Sequence, residues 1–384
     1  MKNMKPSVMV GHKDVWPMRV SSQAAAGGEV STICYEDDIP TFVEAELVRL
    51  YGHMNSSLTY LMASSKANGA STYVARNTDR MLAVLLFKRN AIEVQVINEM
   101  CKIDAVEIAR FADFVFSTYA SVTRISFSML ENGFGRLPYP SQRYNFSEDI
   151  VLDMPSCTDA YLESLSSKTR RGIRGNLTKI KRDHPSFQFQ VFEKDQITVQ
   201  QIRDIIELSK ARIGAKHLRY GTTEDDIQCL LQVVRACGLA GIVFIDGKIC
   251  AGIVNSHLGN GYFGHVVAHD PHYNKYGLGI LCCYLTICAE IERGGATHHF
   301  CWGRYNYKYR LGGVQKDMIC LDVYRSRAWY FRNVQGVAKN ALQTSVARIK
   351  TRLLDIEREE TGHPGLVSRA VRILRKLKRS RFSE

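Results

Sequence analysis

The stretch GIVFIDGKICAGIVNSHLGNGYFGHVVAHDPHYNKYGLGILCCYLTICAEIERGG, residues Gly241–Gly295, decides the fold class of this chain. Its short apolar runs are rich in β-branched and aromatic residues, which predicts half-buried strands. Asp246-Gly247 and Asn260-Gly261 separate these runs, and such dipeptides favour two-residue hairpin loops because both positions tolerate positive φ. A glycine-punctuated loop and a long apolar run follow. The stretch therefore predicts a β-meander that leads through a loop into a helix of about four turns.

The loop before the predicted helix carries two glycines in the sequence KYGLG. A helix N-terminus offers unpaired N–H groups and the positive end of the helix dipole to an anion. Glycine there lets the backbone approach the anion without side-chain obstruction. We therefore predict a pyrophosphate-binding loop made of Lys275, Tyr276, Gly277, Leu278, Gly279 and Ile280. The alternative is a glycine loop that only caps a buried helix.

This order of hairpin, strand, glycine loop and helix resembles the acyl-CoA-binding half of GNAT-type N-acyltransferases. A closer resemblance is to the CelD-like acetyltransferases of cellulose and polysaccharide biosynthesis, which are related to Fem-type aminoacyltransferases. Three segments carry it, namely Leu165–Arg182, His269–Leu285 and Phe300–Gly313, the last with the sequence FCWGRYNYKYRLGG. In the fuller GNAT pattern an Arg or Gln stands three residues before the first glycine. The chain departs from that pattern, because it has Asn274 at this position.

The resemblance implies an α/β fold with a mixed sheet and an acetyl-CoA-dependent bacterial N-acetyltransferase without a metal. It implies direct acyl transfer in a ternary complex to a small-molecule primary amine, such as an amino sugar or a precursor of an envelope polysaccharide. It also implies that the Tyr-Lys pair of FCWGRYNYKYRLGG belongs to the active-site region. Tyr307 would donate a proton to the CoA thiolate, and Lys308 would hold a phosphate or an acidic acceptor.

The candidate base is a histidine near the end of the third predicted strand. His265 and His269 lie next to the glycine loop, and histidine has the near-neutral pKa that a general base needs. Regular strand alternation would place both on one face. Tyr305 and Arg171 are the further candidates for substrate binding. The alternative for all of these residues is ordinary packing or a solvated surface, and we assign Trp302 to the core.

The first half of the chain repeats the order of the second. Three strand-like runs precede a helical pattern at Ile103–Tyr119 and a returning strand at Val122–Leu130. We therefore predict two GNAT-like lobes in tandem. The helix entry of the first lobe has no glycine, so we expect no CoA site there. The predicted division is a loose arm at 1–32, lobes at 33–147 and 148–325, a basic helical tail at 326–384, and a linker at 136–147.

Composition limits the compartment and the partners. The net charge of +13 over 384 residues indicates an acidic partner such as CoA phosphates, RNA or an anionic membrane. The 11 cysteines include no Cys-x-x-Cys motif, so neither a zinc site nor a disulfide framework is indicated. The N-terminus lacks the apolar segment of a signal peptide, and the apolar runs are too short to span a bilayer. We expect a soluble, cytoplasmic protein.

Two other functions remain open on the sequence alone. A Fem-like enzyme that transfers an aminoacyl group from tRNA would use the same doubled fold, and the basic stripe Lys168–Arg182 would suit the RNA. A non-catalytic GNAT-like protein that binds polyanions would use the same charge without a CoA site. The basic C-terminal tail could lie on an anionic membrane surface or be an ordinary solvated helix.

Overall fold

A computed structural model describes residues 21–25, 28–78, 80–214, 221 and 223–359, and these form a single mixed sheet flanked by helices. The strands are β1 (Ser21–Ala25), β2 (Gly28–Tyr35), β3 (Ser71–Arg76), β4 (Met81–Arg89), β5 (Glu93–Val96), β6 (Arg124–Glu131), β7 (Ser141–Asp153), β8 (Gln188–Glu193), β9 (Gly238–Ile245), β10 (Lys248–Leu258), β11 (Gly261–His269), β12 (Thr297–His299) and β13 (Val314–Tyr324). The helices are α1 (Val43–Tyr51), α2 (Leu58–Ala63), α3 (Ala105–Thr118), α4 (Thr158–Ser164), α5 (Ser167–Asp183), α6 (Val199–Gly214), α7 (Glu224–Cys237), α8 (Leu278–Glu292), α9 (Asn306–Arg310), α10 (Arg327–Arg332) and α11 (Val334–Glu359).

The chain contains two lobes of the same construction, which confirms the predicted tandem α/β fold. Each lobe begins with a strand and two helices, which are followed by three antiparallel strands. A helix and a last strand come next, and this last strand pairs in parallel with the third of the antiparallel strands. These elements are β2, α1, α2, β3, β4, β5, α3 and β6 in the first lobe, and β8, α6, α7, β9, β10, β11, α8 and β12 in the second. The parallel pairs are β5 with β6 and β11 with β12, and the other pairs in the sheet are antiparallel.

The lobes are joined at the centre of the sheet by an exchange of strands. β7 follows β6 in the chain but pairs with β12, whereas β13 follows β12 but pairs with β6. β7 and β13 pair with each other and complete the order β1-β2-β3-β4-β5-β6-β13-β7-β12-β11-β10-β9-β8. The predicted linker at 136–147 is therefore wrong from Ser141 onward, and the predicted boundary after 147 falls inside β7. Its prolines suggested a linker, yet they precede a long central strand.

Helices cover both faces of the second lobe, because successive strand residues point to opposite faces. On one face, Val243 and Ile253 pack with α8 in one apolar cluster. On the other, Ile242 and Val254 pack with α6 and α7. α5 also packs on the α8 face, through the buried Ile173. The first lobe has its own clusters on its two faces.

Two local predictions differ from the structure. β1 and β2 occupy 21–25 and 28–35, so the end of the predicted loose arm is part of the sheet, while residues 1–20 lie outside the described residues. The Asp246-Gly247 turn is confirmed, with both φ angles positive. The second hairpin turns one residue earlier than predicted, because Leu258 pairs with Gly261 and Gly259 supplies the positive φ.

The C-terminal part of the chain is helical as far as the structure describes it, in α10 and α11. The part of the predicted basic helical tail beyond residue 359 lies outside the described residues. In the described part of the chain, no helix combines the length and the apolar character that crossing a membrane requires.

Candidate active site

The parallel pair β11 and β12 separates after a few residues and leaves a gap in the sheet. Pairing is limited to Gly261–Phe263 with Thr297–His299, and β11 then continues to its end paired only with β10. A bulge accompanies the separation, because Val254 pairs with Val266 whereas Asn255 pairs with Gly264. His265 is the extra residue, and a bulge leaves such a residue outside the regular ladder.

A cavity of about 1010 Å³ includes this gap and reaches both faces of the sheet. Thr286 of α8 and Phe300 line it on one face. Tyr60 of α2 and Asp226 of α7 line it on the other, so both lobes contribute to the wall. Four of the residues predicted for the site, His265, Tyr305, Tyr307 and Lys308, lie on this wall.

The predicted glycine loop, residues 275–280, consists of the end of a 3₁₀ turn (Pro271–Tyr276), Gly277 and the first three residues of α8. Asp270 caps the turn by accepting from the His272 N–H at 2.9 Å. Gly277 has φ +59°, a left-handed conformation that favours glycine. Its carbonyl oxygen accepts from the N–H groups of Ile280 and Leu281 at 2.9 and 3.0 Å. The Leu278 and Gly279 amides precede these donors, so they are the helix-start N–H groups that an anion could meet.

Packing of the His269 ring requires a glycine at position 279, in addition to the access that glycine would give to an anion. A Cβ atom at Gly279 would lie 2.5 Å from Nδ1 of His269, so only glycine lets that ring pack against the start of α8. Nε2 of His269 in turn lies 2.9 Å from Oδ1 of Asn274. The structure therefore places His269 in the framework of the loop, on the α8 face of the sheet and not on the cavity wall.

Two lysines flank the glycine loop. Lys275 and Lys179 lie over the ring of Tyr276, at 5.0 and 5.5 Å from its centroid. Tyr276 itself is buried, and its hydroxyl donates to Asp183 at 3.0 Å. A Cβ at Gly277 would lie 2.9 Å from the Asn176 side chain, so α5 directly contacts the loop. Lys179 of α5 and Lys275 of the loop therefore lie beside the residue that precedes Gly277.

Arg171 is not brought to the cavity. It is exposed on α5, two residues from each of the buried Thr169 and Ile173, and residues two apart in a helix face different directions. It lines a shallow groove along the exposed side of the helix with Arg174, Lys179 and Arg182. Most of the basic stripe thus faces away from the gap.

The bulge makes the prediction of a shared face for the two histidines wrong. His265 lies 2.8 Å, through Nε2, from Oγ of Ser256, and the Ser256 side chain is on the face opposite to that of Asn255. His265 has exposed surface on the cavity wall and protein around the rest of its ring. Burial, together with the nearby His53, lowers the pKa of His265 to about 4.

The ammonium group of Lys308 donates hydrogen bonds to the backbone. It is 2% exposed, and Nζ donates to the carbonyl oxygens of Phe300, Cys301 and Trp302 at 2.8, 3.0 and 2.6 Å. Cys301 has φ +55°, an unfavourable conformation for a residue with a side chain, so Lys308 stabilises a strained turn. Burial lowers the pKa of Lys308 to about 8.

Aromatic side chains lie around this turn. Tyr305 and Tyr307 stack with centroids 6.2 Å apart, and Tyr307 also contacts Phe300 edge to face. Tyr305 is 61% exposed. Trp302, which we had assigned to the core, is 54% exposed, so that assignment is wrong. The wide turn after the short strand β12 directs it outward at the mouth of the cavity.

Sequence reasoning missed a buried hydrogen-bonded group on the cavity wall. His298 lies 2.7 Å, through Nδ1, from Oε2 of Glu290, and the Asn255 amide donates to Oε1 of the same carboxylate at 2.5 Å. All three side chains are buried, and His298 and Asn255 line the cavity. The dipeptide His298-His299 in a short strand was the available signal.

A second buried group, His53, Asp149 and His299, has the donor chemistry of a metal site. Nδ1 of His299 lies 2.7 Å from Oδ2 of Asp149, and Nε2 of His53 lies 3.7 Å from the same oxygen. The Asn55 N–H donates to Nδ1 of His53, so the neutral ring carries its proton on Nε2. A metal-bound histidine usually donates from its other nitrogen, so this arrangement does not fit coordination through Nε2.

The two-lobed sheet, the gap beside a strand bulge and the glycine turn at α8 define a GNAT-type fold. Residues 167–309 match the family described as acetyltransferase (GNAT) domain. No curated protein sequence matches the chain.

Solved structures resemble a larger part of the chain, and FemX has the same fold as that part. FemX is 10% identical with a TM-score of 0.52, over 73% of this chain and 96% of FemX. L-PGS from Bacillus licheniformis is 13% identical with a TM-score of 0.47, over 81% of this chain and 97% of L-PGS. At such identities the likeness concerns the fold alone.

Proposed function

We propose that the protein is a cytoplasmic acyl-CoA-dependent N-acyltransferase that transfers an acetyl group to a primary amine without a metal. The observation that carries this proposal is the gap between β11 and β12, which joins the two faces of the sheet through one cavity. Donor and acceptor could therefore enter from opposite faces and meet in the gap. Such an arrangement suits direct transfer in a ternary complex, because it holds both reactants in a fixed orientation.

The donor would be held at the start of α8. The amides of Leu278 and Gly279 would bind the pyrophosphate at the positive end of the helix dipole, with Lys179 and Lys275 beside it. The pantetheine arm would pass between β11 and β12. Backbone N–H groups freed by the bulge at His265 would polarise the thioester carbonyl.

The residues after β12 would complete the reaction at the thioester. Tyr307, on the cavity wall, would donate a proton to the departing thiolate. Lys308 would position the turn that forms this wall. The exposed Trp302 and Tyr305 at the mouth offer flat apolar faces to an acceptor such as an amino sugar, which fits the CelD-like role in envelope polysaccharide synthesis.

A second candidate is Fem-like transfer from an aminoacyl-tRNA. The FemX-like fold and the exposed basic side of α5 favour it. It predicts binding of tRNA with a steep dependence on salt and no saturable binding of acetyl-CoA. The basic tail remains a candidate for contact with an anionic membrane under either function.

Calorimetric titration with acetyl-CoA tests the donor site. We expect saturable binding by the wild-type protein and a loss of affinity of about tenfold, or about 1.4 kcal/mol, for each of Lys179→Glu and Lys275→Glu. The matched control is Arg171→Glu, which makes the same charge change about 12 Å from Lys179 along α5, beyond a Debye length, and should leave the affinity within about twofold. Wild-type protein that does not bind acetyl-CoA would contradict the proposed function.

The contrast among the three variants separates a built site from general electrostatic attraction. Equal weakening by all three would show that the net charge attracts the ligand without a specific site. In that case binding should also fall steeply as salt is raised, whereas a desolvated helix start is screened less.

A further inference from the structure

Glu290 forms hydrogen bonds with two residues of the cavity wall, next to the gap between β11 and β12. It is fully buried on α8, and each of its carboxylate oxygens receives one hydrogen bond, from His298 on β12 and from Asn255 on β10. The first is 2.7 Å long and the second 2.5 Å. One carboxylate thus connects the two strands on either side of β11, next to the bulge.

These bonds fix what the two residues present to the cavity. Because the carboxylate accepts, Nδ1 of His298 carries the proton and the lone pair is on Nε2. Within the described part of the chain, Nε2 makes no hydrogen bond. The Asn255 amide nitrogen is committed to Glu290, so its Oδ1 points away, and this fully buried oxygen has no partner among the described residues.

Two hydrogen-bond acceptors therefore remain unused on one wall of the cavity. A buried polar atom without a partner costs free energy, so an empty acceptor of this kind indicates a ligand that donates to it. A ligand with two N–H bonds can donate to both acceptors. A neutral primary amine carries two N–H bonds on one nitrogen, whereas a neutral secondary amine carries one.

We propose that His298 is the general base of the transfer, that Asn255 Oδ1 holds the second N–H of the primary amine, and that Glu290 positions both. This inference rests on the proposed acyl transfer and names the residues that act on the acceptor. The amine nitrogen forms a bond to the thioester carbonyl carbon, and the carbon–sulfur bond breaks. The proton of the nitrogen passes to Nε2 of His298, and the thiolate is protonated by Tyr307.

The other cavity and loop histidines fit the role less well. Nε2 of His265 is engaged with Ser256 on the opposite face. His269 is packed beneath Gly279 and engaged with Asn274. The base-and-carboxylate pairing is the usual device for holding an imidazole in a working tautomer, and among these three His298 has it. The charged groups that share its cavity are Lys66, Asp225, Asp226 and Lys308, and His265 on the same wall is neutral near pH 7.

The test is His298→Asn, because an asparagine amide can still donate to Glu290. With acetyl-CoA and a panel of D-glucosamine, L-lysine and spermidine, we expect kcat to fall by about 10²-fold or more. The dissociation constant of acetyl-CoA should stay within about twofold, since the donor site is not touched. The acid side of the pH–rate profile should change in shape, because the base is lost while protonation of the acceptor amine remains. The control His257→Asn, an exposed β10 histidine outside the cavity wall, should behave as the wild type.

Two further measurements test the same proposal if the His298→Asn variant is poorly folded. Glu290→Gln should lower kcat and shift the pH–rate profile while acetyl-CoA still binds. N-methyl-D-glucosamine should be a poorer acceptor than D-glucosamine for the wild type, because it lacks one N–H. Folding of each variant is checked by circular dichroism and by acetyl-CoA binding.

The outcomes separate a failure of the His298 proposal from a failure of the proposed acyl transfer on which it rests. Folded variants that bind acetyl-CoA and keep the wild-type kcat and pH profile would overturn the role of His298 and leave the proposed function standing. The inference would also be overturned by wild-type protein that binds acetyl-CoA but acetylates no amine of the panel. Wild-type protein that does not bind acetyl-CoA would overturn both.

Discussion

Lys308→Met is expected to lower the free energy of unfolding by about 4 kcal/mol and to abolish acyl transfer. The substitution removes three hydrogen bonds from a buried ammonium group and leaves three carbonyl oxygens without their donor. Each unsatisfied buried group costs about 1–3 kcal/mol, and part of that cost is relieved when water enters. Methionine keeps most of the apolar length of lysine, so the loss reflects the hydrogen bonds more than a cavity.

The loss of activity follows from the same contacts. Without Lys308, the turn through Cys301 loses three of the hydrogen bonds that hold its left-handed backbone, and the cavity wall that carries Tyr307 would relax. Urea unfolding monitored by circular dichroism measures the stability. Lys316→Met on β13 is the control, since that lysine is exposed and should cost less than about 0.5 kcal/mol. A Lys308 variant as stable as this control would refute the role of the ammonium group.

Asp149→Asn is expected to cost about 3 kcal/mol at neutral pH, in a pH-dependent way. The Asp149 carboxylate is buried beside His299 and His53. Burial alone would raise its pKa, but the hydrogen bond with His299 and the nearby His53 hold that pKa well below the usual range. Asparagine would weaken the charge-assisted bond to His299 and leave a buried mismatch, for which losses of about 2–5 kcal/mol are typical.

The sign of the pH dependence follows from the lowered pKa. Below about pH 4 the unfolded chain binds a proton at this carboxyl before the folded protein does, so the wild type loses stability as the pH falls. The asparagine variant lacks this contribution. The stability difference should therefore be complete above about pH 5 and shrink toward about pH 3. Urea midpoints across this range measure it, with the exposed Asp317→Asn as control. A difference that stays constant with pH would mean that the carboxylate charge is not the cause.

The elements of the second lobe could be read from the sequence because their signals are local. Turn dipeptides, β-branched runs and the apolar helix each lie within a few residues, and the Asp246-Gly247 hairpin and α8 appear as predicted. The second hairpin shows the limit. Gly259, Asn260 and Gly261 allow two turn registers, and the pairing of Leu258 with Gly261 selects between them.

The candidate site was predictable only in part. The glycine loop and the cluster after β12 were found, because a resemblance and a glycine pattern marked them. The bulge at His265 was not, since a single extra residue leaves no trace in a run of apolar residues. It moves His265 and His269 to different faces, and only His265 reaches the cavity.

The sequence by itself determined two repeated α/β units, a glycine turn before an apolar helix and a strongly basic surface. These features depend on periodicity, turn chemistry and charge, which are properties of neighbouring residues. The tertiary structure decided that β7 and β13 exchange partners, that Lys308 holds a backbone turn, and that Glu290 unites His298 with Asn255. The physical reason is that each of these depends on which distant residues the sheet brings within hydrogen-bond distance, and that distance is set only when the strands have paired.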